Sequence, residues 1–169
     1  MPKASNSRVW RYVVFFLVAF LLAVADQLIK YGIRENLAIG QSLWRWWIFE
    51  IARVPPNTGA SFGLFPEHTL VLVIVSGIGI SFILVYAFIM YRRYPFLDRW
   101  LNRVALSMIL GGTIGNLIER VQYLLGRSGG VTDFAHIGWW PPFNLADSAV
   151  VVGVILFIYT LFPLAQKRD

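Results

Sequence analysis

No cysteine occurs in the 169 residues, which rules out disulfides, thiolate metal sites and cysteine nucleophiles. Histidine is nearly as scarce: His68 and His136 stand far apart, without the spacing of a zinc site, so no metal is expected. The chain has no Gly-x-Ser-x-Gly elbow, no phosphate-binding loop, no internal repeat and no low-complexity segment, and nothing in it calls for a cofactor. Charge is also sparse, at 14% of residues, with 9 Asp and Glu against 15 Lys and Arg. Hydrophobic residues, by contrast, make up 57%, more apolar surface than one soluble core of this length can hide. The chain reads as a membrane protein.

Four apolar stretches are candidates to span: Tyr12 to about Leu28, Thr69 to Tyr91, Leu101 to about Leu125, and about Leu145 to Leu164. A helix needs roughly 20 such residues to cross the hydrocarbon core. The first is strictly apolar only from Tyr12 to Ala25, which suggests a short span ending near an interface. Its basic start (Lys3, Arg8, Arg11) and its Ala23-Val24-Ala25 end also resemble a cleavable signal peptide. Asp26 and Lys30 continue the helical pattern past that point and favour a retained span.

The net charge of +6 raises the question of nucleic acid, but the basic residues cluster at the ends of apolar stretches, where they report topology and contact with anionic lipid. Lys3, Arg8 and Arg11 precede the first span, Arg92, Arg93, Arg99 and Arg103 separate the second and third, and Lys167 and Arg168 follow the fourth. With four spans these clusters share one side, so both termini are expected in the cytoplasm. The segments Tyr31 to His68 and Gly126 to Phe143 then lie outside. Leu43 to Val54, with Trp44, Trp46 and Trp47, suggests short strands at the headgroup level, ended by Pro55-Pro56 and an Asn57-Thr58-Gly59 turn. The second outer segment, with Gly126, Gly129-Gly130 and Trp139-Trp140-Pro141-Pro142, suggests a flexible loop resting on the membrane. The expected fold is a mainly α membrane protein, one domain over residues 1–169, with four transmembrane helices, a small outer β-containing segment and an outer loop.

Polar residues gather at the outer ends of the spans. Asp26 and Lys30, four apart, share a helix face, either as an interfacial ion pair or as residues that orient a site. Asn57 belongs either to an ordinary turn or to that site. On the third span Asn116 and Arg120 are one turn apart, beside Gly111, Gly112 and Gly115, which would let another helix approach closely. That face either glues helices together around a snorkelling arginine or holds carboxylates and a peptide carbonyl. Glu119 pairs with Arg120 or with a neighbouring loop residue. Asn144 and Asp147 share the first turn of the fourth span, where Asn144 suits an N-cap and an aspartate complements the helix dipole. Asp133, in Val131-Thr132-Asp133-Phe134, lies 14 residues upstream of Asp147. Two carboxylates kept near a bilayer are expensive, and if they meet they cannot both ionise cheaply, which is the electrostatic situation of an aspartic protease. Ser148 has no histidine partner, and a serine–lysine dyad with Lys30 is the weaker alternative. Outside proteolysis, a proton-coupled transporter using Asp26, Asp147 and Arg120 as a relay, or a lipid-binding assembly protein, would carry the same residues, although no acid sits at mid-membrane and no pair of broken helices repeats.

Taken together, these motifs resemble the bacterial lipoprotein signal peptidases (signal peptidase type II). The resemblance covers nearly the whole chain and runs in order: Asp26-x-x-x-Lys30, Asn57-x-Gly59-Ala60-x-Phe62, Gly112-x-x-Gly115-Asn116-x-x-x-Arg120, Val131-x-Asp133-Phe134 and Phe143-Asn144-x-Ala146-Asp147. It implies Asp133 and Asp147 as the catalytic pair, with Asp26, Lys30, Asn57, Gly59, Asn116, Arg120 and Asn144 as supporting or substrate-binding residues. It also implies a metal-free protease, expected to be monomeric, multi-pass in the inner membrane, with its site toward the periplasmic face. The implied substrate is a prolipoprotein whose cysteine already carries diacylglycerol, cut just before that cysteine, and the implied surroundings are membrane lipids. The chain departs from the family at Glu119, where an aspartate usually precedes the arginine, so the bonding of Arg120 is open.

Overall fold

The computed structural model describes residues 3–59, 68–93 and 99–165. Ala60 to Phe62 of the second motif, Lys167 and Arg168 lie outside the described residues. The elements in chain order are α1 (Lys3–Asn36), β1 (Ser42–Trp46), β2 (Phe49–Ala52), α2 (Thr69–Arg93), α3 (Trp100–Leu124), β3 (Ala135–Ile137), β4 (Trp140–Phe143) and α4 (Leu145–Ala165).

The protein is mainly helical. α1, α2 and α3 contain stretches long and apolar enough to cross a membrane (Val9–Asn36, Thr69–Ile89 and Trp100–Leu124), and the apolar part of α4, Leu145–Leu161, is shorter. The first span is longer than its composition suggests. Asp26, Lys30 and Arg34 recur every fourth residue, and bonds from this one face, Lys30 and Arg34 to α3 and Asp26 to the start of α4, let the helix continue past Leu28. It ends where Arg53 Nη1 donates to the carbonyls of Arg34 (2.7 Å) and Leu37 (2.8 Å). The helix runs through Ala23-Val24-Ala25 without a break.

α3 is the central helix and packs against α1, α2 and α4. Its glycines set how closely the others approach. A Cβ at Gly111 would lie 2.6 Å from the Ala19 carbonyl oxygen of α1, and one at Gly112 would collide with the Ala146 carbonyl of α4. Away from the sheet, Phe15, Ala19, Ile83, Ala87, Leu106 and Leu110 form the buried core where α1, α2 and α3 meet.

The two segments expected to lie outside fold together into one antiparallel sheet of order β1-β2-β3-β4. β1 and β2 are the strands expected from Leu43 to Val54. The second segment, expected as a flexible loop, instead supplies β3 and β4: Phe49 pairs with Ile137, and Ala135 pairs with Phe143. Pro141 and Pro142 disguise β4, but it is an edge strand, where missing N–H donors are tolerated. Ile33 of α1, Leu37 just past its end and Phe134 form a second buried cluster with Ile51 and Ala135, which seats the base of the sheet on the end of α1. An isolated bridge, with both N–H to O distances at 2.8 Å, ties Asn57 to Val131 and so brings Asn57 beside Asp133.

Candidate active site

The first turn of α4 is built by Asn144 and Asp147. The Asp147 N–H donates to Asn144 Oδ1 (2.9 Å), and the Asn144 N–H donates to Asp147 Oδ2 (3.2 Å), a reciprocal cap that fixes both side chains. The Asn144 amide nitrogen then donates to Asp133 Oδ1 at 2.7 Å and to Asn116 Oδ1 at 3.1 Å. Asn144 therefore bridges the two carboxylates that the sequence keeps 14 residues apart.

Two more amides complete the frame. Asn116 Nδ2 donates to Asp147 Oδ1 (2.8 Å), and Asn57 Nδ2 donates to Asp133 Oδ2 (3.1 Å). Asn57 is itself held, because its Oδ1 accepts the Gly59 N–H at 2.9 Å. Lys30 Nζ donates to Asn116 Oδ1 (2.9 Å), so its charge reaches Asp147 through the Asn116 amide. Burial first, and then the charge of Asp147, push the Asp133 carboxyl up to about 6, against the pull of the Asn57 and Asn144 amides and of Lys30. Two carboxyls held this way can keep one proton between them at a pH where a lone aspartate is fully ionised.

Asp26 and Lys30 form the expected ion pair (2.8 Å), and both are fully buried. Asp26 Oδ1 accepts the Ala146 N–H at 3.0 Å, so a buried carboxylate meets the positive end of the α4 dipole. Gly115 leaves room for it, since a Cβ there would stand 2.7 Å from Asp26 Oδ2. Gln27 Nε2 donates to Asp26 Oδ2 (3.1 Å) and to the Gly115 carbonyl (2.9 Å). Lys30 Nζ is committed to Asp26, Asn116 and Glu119, and Ser148 Oγ donates to the Asn144 carbonyl, which leaves no serine–lysine dyad among these contacts.

Glu119 takes the loop alternative rather than Arg120. It accepts from the Thr132 N–H (2.9 Å) and hydroxyl (2.8 Å), lies 3.1 Å from Lys30 Nζ, and pairs with Arg34. Arg120 lies within electrostatic reach of Asp147, Asp133 and Glu119. Its buried Nε has no hydrogen-bond partner, and among the described residues Arg120 donates to neither aspartate. Arg34, Thr132 and Gln27 were not read as site residues from the sequence. The four-residue spacing Asp26, Lys30, Arg34 was the signal that could have found Arg34.

A family model described as Signal peptidase (SPase) II matches residues 18–163. The chain belongs to the signal peptidase II family. It is 43% identical over 145 residues to a lipoprotein signal peptidase of Dehalococcoides mccartyi (strain ATCC BAA-2100 / JCM 16839 / KCTC 5957 / BAV1), covering 86% of each chain. It is 39% identical over 154 residues to that of Moorella thermoacetica (strain ATCC 39073 / JCM 9320), covering 91% of this chain and 96% of the relative. Among solved structures, it is similar to a bacterial membrane enzyme determined by the in meso method at 2.3 Å resolution, with TM-score 0.79, 27% identity and 92% of both chains covered. As a lipoprotein signal peptidase it is a protease of a bacterial membrane, and its matched region contains every residue of the Asn144-centred frame.

Proposed function

We propose that this chain is an aspartic endopeptidase that removes signal peptides from diacylglyceryl-modified prolipoproteins by cutting just before the lipidated cysteine. The observation that carries the mechanism is the Asn144 bridge: one side chain and its backbone fix Asp133 and Asp147 together in a buried setting. Two such carboxylates share one proton. The ionised member removes a proton from water, and the protonated member hydrogen-bonds the scissile carbonyl. Attack gives a tetrahedral diol, and a carboxylic acid then protonates the departing amine. The pair titrates as a unit, and its proton is not assigned to one member.

Asn57, Asn116 and Asn144 keep the carboxylates aimed, Asp26 and Lys30 hold the α4 start and Asn116, and Gly59 anchors Asn57. Arg120 is left with a buried Nε that suits a peptide carbonyl of the substrate. No metal or cofactor enters these steps.

With α4 as a fourth span, the basic clusters favour both termini in the cytoplasm and a site on the periplasmic side of the inner membrane. The substrate's acyl chains would stay in the bilayer and bring the bond to that depth, each buried methylene contributing roughly 0.8 kcal/mol. Exposed Trp44, Trp46, Trp47 and Trp139 on the sheet suit the headgroup layer and contact with membrane lipids. One copy holds both aspartates, so a monomer suffices.

The substrate assignment is tested by offering purified protein the same prolipoprotein with and without its diacylglyceryl group. Cleavage of the modified form alone is expected. Equal cleavage of both would remove the lipid requirement from the proposal.

A further inference from the structure

Arg34 lies outside every motif that carries the family resemblance, and Thr132 fills only the unspecified position of Val-x-Asp-Phe. Yet the two meet next to Asp133. The Thr132 hydroxyl donates to Glu119 Oε1 (2.8 Å) and accepts from Arg34 Nη1 (3.0 Å), while Arg34 pairs directly with Glu119. The donor and acceptor counts are consistent, because a hydroxyl has one proton to give and lone pairs to receive. The Thr132 backbone N–H goes to Glu119 Oε2 (2.9 Å).

We propose that Arg34 and Thr132 are positioning residues of this chain: with Glu119 they clamp the backbone immediately before Asp133 and so set where that carboxylate stands. The kinetic consequence rests on the aspartic reading above; the clamp itself does not. On one side Val131 is tied to Asn57 by two backbone bonds, and on the other Thr132 is tied to Glu119, so the segment entering Asp133 is gripped from both flanks.

The clamp draws on the length of the Glu119 side chain. Glutamate reaches roughly 1.5 Å further than aspartate, one carbon–carbon bond. That added reach belongs with Arg34 and Thr132 as one set. Charge is balanced within the set: Lys30 and Arg34 against Asp26 and Glu119, so it adds no net negative charge beside Asp133.

The test uses the full-length purified protein and a diacylglyceryl-modified prolipoprotein, with Arg34→Gln, Thr132→Val, Thr132→Ser and the double variant Arg34→Gln/Thr132→Val. Each of the first two is expected to lower kcat roughly 10-fold with KM within about 2-fold, because a displaced carboxylate impairs the reaction more than binding. Thr132→Ser keeps the hydroxyl and should restore kcat. The double variant should fall no further than the worse single one, because both break one ring. Amide hydrogen exchange at Thr132 should quicken in Arg34→Gln and Thr132→Val. Wild-type kcat in both single variants, fully additive losses, or a Thr132→Ser variant that regains thermal stability without kcat would overturn the clamp. Should Arg34→Gln not fold, Thr132→Val against Thr132→Ser carries the same comparison. Asp133→Asn separates the two readings. If it cuts while exchange at Thr132 still responds as expected, the aspartic reading fails and the clamp stands. If it is inactive while Arg34→Gln and Thr132→Val keep full kcat, the clamp fails and the aspartic reading stands.

Discussion

Asn144 touches Asp133 with its side chain at 2.7 Å and caps the turn that carries Asp147, so one residue sets the separation of both carboxylates. Its position at the start of α4 makes the site a property of a helix end rather than of a loose loop. A rigid frame of this kind keeps reacting groups aligned without reorganising during the reaction.

Replacing Asn144 by alanine should separate catalysis from folding. The lost cap costs about 1 kcal/mol of stability, within the usual range for an N-cap asparagine. The loss in kcat should be far larger, on the order of 100-fold, because both carboxylates lose their common anchor. Paired measurements of thermal unfolding and kcat check this, and equal small effects on both would count against the bridge.

The titration of Asp133 gives a pH prediction with a definite sign. Its carboxyl titrates at about 6 in the fold against an ordinary 3.8, so the folded protein holds that proton more tightly than the unfolded chain. Asp133 therefore subtracts stability above about 6, on the order of 3 kcal/mol, and progressively less as pH falls toward the ordinary carboxylate range. Asp133→Asn removes this penalty, although its amide would then face that of Asn57 and offset part of the gain. The stability of the variant relative to wild type should rise between about pH 4 and pH 6 and level off above that, as read by chemical unfolding in detergent. A difference independent of pH would contradict the shift.

Activity should follow the same proton. Under the shared-proton mechanism proposed above, the productive form is lost as pH rises, so kcat/KM in the free enzyme should decline above about 6 with a one-proton slope. The corresponding limb in kcat should lie higher, because bound substrate excludes more water and favours the protonated carboxyl further. A pH–rate profile at fixed detergent checks both limbs.

Gly115 permits the contact between Asp26 and the start of α4. Gly115→Ala places a methyl 2.7 Å from Asp26 Oδ2, forcing the carboxylate away from the Ala146 N–H. A loss of about 1–3 kcal/mol is expected, the usual range for overpacking, with lower activity in the folded fraction. Gly32, inside α1, where an added methyl would meet nothing within 4 Å, is the control, and Gly32→Ala should not destabilise and can gain up to about 1 kcal/mol from helix propensity.

Lys30→Met should be the most damaging single change in the charged cluster. Lys30 is fully buried between Asp26 and Glu119, so its removal leaves Asp26 unpaired at a cost of about 3–5 kcal/mol. Arg34 is 31% exposed and should cost less when replaced. Chemical denaturation of the two variants side by side checks the order.

Much of this was legible in the sequence because it rests on short-range rules. Apolar length locates α2, α3 and α4 to within a few residues, and the place of Asn144 ahead of the last apolar run points to its N-cap, while the return bond from Asp147 is visible only in the fold. The sequence ends α1 too early because Asp26, Lys30 and Arg34 look like an interface until α3 and the start of α4 supply their partners. β4 was missed because two prolines read as loop unless the strand is known to be an edge. Glu119 and Thr132 meet only through the tertiary fold, and no local pattern encodes that contact.

The most direct test is cleavage of a diacylglyceryl-modified prolipoprotein by wild type, Asp133→Asn and Asp147→Asn, each shown to be folded and to bind substrate. Each amide keeps the size of the side chain and removes its ionisable group. Neither variant is expected to cut. Cleavage by either at near the wild-type rate would contradict the shared-proton mechanism.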